Sequence, residues 1–207
     1  KPRDPSTFWM SFEDFVSGFN KVHVCRLAEQ SSGWLPQPVV HGEWTPETAG
    51  GKVGTPPGPG ALWRRNPQYF LTLPERCTVI VAVAQPDALL DANDDVDGYV
   101  NKIGFSILSA DKSASGIGGS KLLLSPDELR FDSRLSCTRQ VSAAVELEAG
   151  EYNLIPYTEE PQTFMPYILS VSSSSAIGLK AVPKAKEPPT IVRGKWSASS
   201  GTAGGCP

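Results

Sequence analysis

Hydrophobic and polar positions divide the chain into one short helical stretch followed by many short runs of strand character. From Ser6 to Phe19, the residues Phe8, Trp9, Phe12, Phe15, Val16 and Phe19 recur at roughly the spacing of a helix face. Ser11, Glu13 and Asp14 supply a polar first turn, so a short amphipathic helix is expected. After Gly18 the period changes to two. Val22, Val24 and Arg26 alternate with His23, Cys25 and Leu27, which predicts a first strand. Further β-branched or aromatic runs occupy Gln68–Leu73, Cys77–Ala84, Ile103–Leu108, Ser120–Leu124, Gln140–Leu147, Gly150–Pro156, Met165–Ser172 and Ile177–Val182. Clusters of Pro, Gly, Asp or Ser bound each run, and the segments between them read as connectors. No helical pattern separates the runs to act as a crossover. The expectation is therefore an all-β, antiparallel sandwich of about eight strands with a short N-terminal helix.

Composition sharpens this picture. Glycine and proline, 19 each in 207 residues, mark a chain rich in turns. A formal charge of −3, with no basic stripe interleaved with aromatics, argues against nucleic acid as a partner. The cysteines Cys25, Cys77, Cys137 and Cys206 lack the spacing of a zinc site or a disulfide framework, and three sit in apolar runs. Reduced, buried thiols and a cytoplasmic location are expected. No run approaches the ~20 apolar residues of a membrane span, and Lys1-Pro2-Arg3-Asp4 does not lead into a signal-peptide core.

Gly50–Gly60 and Pro183–Pro189 read as flexible connections. Beyond the second, part of the sequence repeats: Gly42-Glu43-Trp44 with Thr48-Ala49-Gly50-Gly51 returns as Gly194-Lys195-Trp196 with Thr202-Ala203-Gly204-Gly205. The chain is expected to divide into a connecting segment at 1–20, a sandwich at 21–184, and a linker with the start of a second copy at 185–207.

Candidate chemistry is sparse. Nucleophilic catalysis needs a Cys or Ser beside a His that takes its proton, and the only histidines are His23 and His41. His23 and Cys25 share a strand face but lack an orienting third group or an oxyanion loop, so they read as a structural pair. Gly116–Lys121 lacks the spacing of a phosphate loop and reads as a turn, while Asp127-Glu128 and Glu159-Glu160 read as solvated charge. Trp63-Arg64-Arg65 suits either an anionic interface or a tryptophan packed under its loop. The connection carrying Asp87, Asp91, Asp94, Asp95 and Asp97 is the candidate metal site, because hard carboxylate oxygens clustered on a loop are what Ca²⁺ requires. It is not an EF-hand: Asn93, Asp95, Asp97 and Gly98 fit the register, yet Gly104 stands where the bidentate Glu belongs. A Ca²⁺ loop at Asp91, Asp94, Asp95 and Asp97 and a merely solvated or ion-paired loop both remain open.

With these residues set out, the chain resembles the calpain family. Phe8-Trp9-Met10-Ser11-Phe12-Glu13-Asp14-Phe15 looks like the segment that closes the protease core and leads into the C2-like domain, also called domain III. The resemblance continues through Val22–Leu27, Gly42-x-Trp44, Thr48–Gly51, Asn66-Pro67-Gln68-Tyr69, Ile103-Gly104-Phe105 and Ala149–Pro156. Its signature positions are Trp9, Trp44, Gly50, Gly51, Gly150 and Tyr152. The resemblance implies a non-catalytic sandwich that supports a papain-like core, couples Ca²⁺ to its alignment and binds anionic phospholipid. The family's catalytic Cys, His and Asn lie upstream of the segment matching Phe8–Phe15, so no residue here inherits a catalytic role. Two departures stand out: the long acidic insertion of conventional calpains is missing after Gly60, and the Asp-rich loop comes one connection later. The restart at Gly194 resembles atypical calpains with tandem C2-like domains, which implies a neighbouring C2-like domain as a further partner.

Overall fold

The structure is a computed structural model that describes residues 8–20, 33–36, 39–54, 62–86, 99–110, 121, 124 and 126–183. Among them, ten strands form two five-stranded antiparallel sheets. The first sheet contains β1 (Leu35–Pro36), β2 (Val40–Trp44), β4 (Cys77–Ala84), β7 (Gln140–Leu147) and β9 (Met165–Ser173). Here β4 lies between β9 and β7, and β1 and β2 follow one another along the free side of β9. The second sheet runs β10 (Gly178–Ala181), β3 (Tyr69–Leu73), β8 (Gly150–Thr158), β5 (Ile103–Ser109), β6 (Leu129–Asp132).

Alternation explains β7 and β9 of the first sheet, whereas the central β4 is buried along nearly its whole length. Along β7, Val141, Val145 and Leu147 are buried while Gln140, Ser142, Ala144 and Glu146 are exposed, the pattern of a strand with one face on a core. Its register with β4 is unbroken from Cys77 opposite Leu147 to Ala84 opposite Gln140. Between the sheets, Trp44, Leu71, Val79, Val81, Phe105, Ile107, Leu154 and Leu169 make the main core. Each such side chain contributes about 1.5–3 kcal/mol on burial.

The central strands β5 and β8 of the second sheet are covered on their outer face as well. Leu108, Ile155 and Tyr157 point away from the main core and pack under Val53 and Trp63, with Leu124 and Leu135 at the margin. This outer layer accounts for the unbroken burial of β8 from Tyr152 to Thr158, where alternation would leave every second residue exposed.

The helix expected at Ser6–Phe19 is shorter, α1 (Phe12–Gly18), with the Ser11 hydroxyl accepting from the Asp14 amide at 3.0 Å as N-cap. It is not half-buried as an amphipathic helix would be, since none of its residues is buried and Trp9 just before it is 94% exposed. The expected strand at Val22–Leu27 lies outside the described residues. Of Ser120–Leu124, Lys121 and Leu124 are described and neither belongs to a strand. Strands β1, β2 and β6 occupy stretches that read as connectors, and no described helix is long and apolar enough to cross a membrane.

Candidate functional site

The strand registers bring the β2–β3, β4–β5, β6–β7 and β8–β9 connections to one end of the sandwich. Trp44 ends β2 there and is the plug of the main core, wholly buried, with its ring 4.4 Å from Tyr167 and its indole N–H donating to the Pro156 carbonyl at 3.3 Å. Behind it the Tyr167 and Tyr69 hydroxyls share a hydrogen bond of 2.7 Å. Desolvation by burial raises both phenols above their ordinary value of 10.0.

After Trp44 the chain turns sharply. The Thr45 amide donates to the Thr48 hydroxyl at 2.7 Å, and the Ala49 amide to the Thr45 carbonyl at 2.8 Å. Asn66 then clamps the glycine pair, its Oδ1 accepting from the Gly50 amide at 2.9 Å and its Nδ2 donating to the Gly51 carbonyl at 2.7 Å. A side chain at Gly50 would collide with the backbone of Leu62, and Gly51 takes φ +76° with Pro161 against it, so both positions exclude a Cβ. Gly150 opens β8 opposite Leu73, and the Tyr152 hydroxyl closes the preceding turn by donating to the Glu148 carbonyl at 2.9 Å. Of the positions expected as a signature, Trp44, Gly50, Gly51, Gly150 and Tyr152 build the fold, whereas Trp9 is almost fully exposed.

The candidate metal residues Asp91, Asp94, Asp95 and Asp97, with Asp87, lie outside the described residues. The stem of their connection is described. The buried Gln85 amide donates to the Asn101 carbonyl at 3.0 Å and the Thr138 carbonyl at 2.8 Å, drawing both ends of the connection onto the β6–β7 turn. Next to it, the Glu159 amide donates to the Lys102 carbonyl at 2.9 Å, and the Lys102 ammonium meets the Glu159 carboxylate at 2.7 Å. That hydrogen bond and the adjacent negative charge hold the Lys102 ammonium above its usual range. Glu159, read as solvated charge, is thus paired. Among the described residues, no group of His, Cys, Asp and Glu gathers as metal ligands.

Two polar clusters flank the outer layer of the second sheet. In one, Lys121 is almost completely buried, its ammonium 2.6 Å from Glu128, while its backbone N–H and C=O bond the Gln68 side-chain amide at 2.6 and 2.9 Å. Asn153 completes the cluster by donating to Gln68 at 3.2 Å. In the other, Asp132 accepts from the Tyr157 hydroxyl at 2.5 Å and the Ser106 hydroxyl at 2.6 Å, with Lys52 at 3.5 Å. Desolvation, then the Asp132 hydrogen bond, pushes the Tyr157 phenol up. Glu128 is thus the partner of a buried charge where the sequence suggested only a solvated pair. A lysine within a glycine- and serine-rich stretch gave no sign of burial.

Trp63 is 2% exposed, which settles the choice left open for Trp63-Arg64-Arg65 in favour of packing under the loop. Of the two cysteines described, Cys77 is buried and Cys137 is exposed, so the expectation of buried thiols holds for the first and not the second. His41 stands exposed on β2 opposite Ile168, which pairs with Ala84 at the far end of β4 from Cys77. At about 3.4 Å per residue, the seven steps from Cys77 to Ala84 keep the imidazole and the Cys77 thiol more than about 20 Å apart. His23 and Cys25 lie outside the described residues.

Comparisons with known proteins give the family. The family model "Calpain large subunit, domain III" matches residues 40–172, more than half of the chain, from β2 to β9. Among curated relatives, Calpain-A of Drosophila melanogaster is 31% identical over 81% of this chain and 22% of its own length. Calpain of Schistosoma mansoni is 27% identical over 82% of this chain and 24% of its own, and the Calpain-1 catalytic subunit of Gallus gallus 29% over 79% and 25%. The chain thus spans about a quarter or less of the length of these relatives. Among solved structures, the receptor-binding domain of the spike protein P1 from bacteriophage PM2 aligns at TM-score 0.36 and 15% identity, over 66% of this chain and 94% of that one, too distant to bear on fold or function. The match to the domain III model across both sheets places the chain in the calpain large-subunit domain III family.

Proposed function

We propose that this sandwich is a regulatory and targeting module of a calpain-type cysteine endopeptidase, which cleaves nothing itself and supports the protease core. The observation that carries this reading is the use made of the family signature. Trp44, Gly50, Gly51, Gly150 and Tyr152 are all spent on packing and turns, and the match spans β2 to β9. The exposed Phe8, Trp9, Phe12 and Phe19 suit burial against that core. The repeat at Gly194-Lys195-Trp196 restates the end of β2 and its core plug, which supports a second C2-like domain as the other neighbour. A buried, unbridged Cys77 suits a reducing, cytoplasmic setting, with peripheral attachment at anionic membranes as part of the same reading.

In this reading the Asp91–Asp97 connection binds Ca²⁺ and reports it to the stem held by Gln85. The test is a calorimetric Ca²⁺ titration of the chain beside its D94N/D95N/D97N variant, followed by liposome sedimentation with and without Ca²⁺. Saturable heat that the variant loses, with Ca²⁺-dependent sedimentation, is the expected result. Absence of heat in both proteins would leave a calcium-independent supporting sandwich.

A further inference from the structure

We draw no further inference here: the strongest candidate, the charge-poor outer face of the first sheet, where Ile80 and Ala82 lie among Ser142, Ala144, Ser170 and Ser172 and Ile168 stands exposed at the margin, is an unpartnered apolar face, and nothing among the described residues shows what covers it.

Discussion

The two sheets of this sandwich solve the same problem differently. In the first, β7 buries one face and turns Ser142, Ala144 and Glu146 outward, so that it alternates along its length. In the second, the central strands β5 and β8 are buried on both faces, because the β2–β3 connection folds Val53 and Trp63 over Leu108, Ile155 and Tyr157. The difference starts at one turn. Gly50, Gly51 and Asn66 lock the turn that starts this covering connection, and the layer they position is a second, smaller core.

The comparison breaks most visibly at the point the two sheets share. Trp44→Ala removes the plug between them and leaves the Pro156 carbonyl without its donor, so a loss of about 3–5 kcal/mol is expected in urea unfolding. A loss below about 1 kcal/mol would show that the core closes without it.

Next in size is the ion pair at the edge of the covered face. Glu128→Gln leaves the Lys121 ammonium buried without its counter-charge, at an expected cost of about 3 kcal/mol. The double variant Lys121→Met, Glu128→Leu removes both charges and should recover most of that loss, which a double-mutant cycle measures directly. If the double variant is as unstable as the single one, the packing of the segment matters more than its charge.

A smaller, graded effect concerns alkali. The phenols of Tyr157, Tyr167 and Tyr69 have raised pKa values in the fold, so above pH 10 the unfolded chain releases protons that the folded chain keeps. Their contribution is complete below pH 10 and declines as pH rises beyond it. Ultraviolet titration should therefore show these tyrosines ionising together with loss of structure, and independent ionisation near pH 10 would contradict their burial.

Much of the fold was legible in the sequence. Cys77–Ala84 and Gln140–Leu147 were bounded correctly because β-branched residues and turn formers mark both ends. β2 was hidden by the glycine at its centre, which reads as a breaker, and β6 by being an exposed edge of mixed polarity in Leu-Arg-Phe-Asp. The outer layer was beyond reach for a different reason. The strand at Gly150–Pro156 is legible, but its burial on both faces is not, because the cover comes from a distant connection whose glycines and prolines read as a flexible link. The partnership of Lys121 with Glu128 and Gln68 is a tertiary contact with no local signature.

The central claim, that β5 and β8 are covered by an integral layer while the outer face of β7 is open, is tested most directly by denaturant unfolding of Trp63→Ala beside Ala144→Lys. The account predicts a loss of about 3–5 kcal/mol for Trp63→Ala and a change within about 0.5 kcal/mol for Ala144→Lys on the open face. Equal, small effects from both substitutions would contradict it.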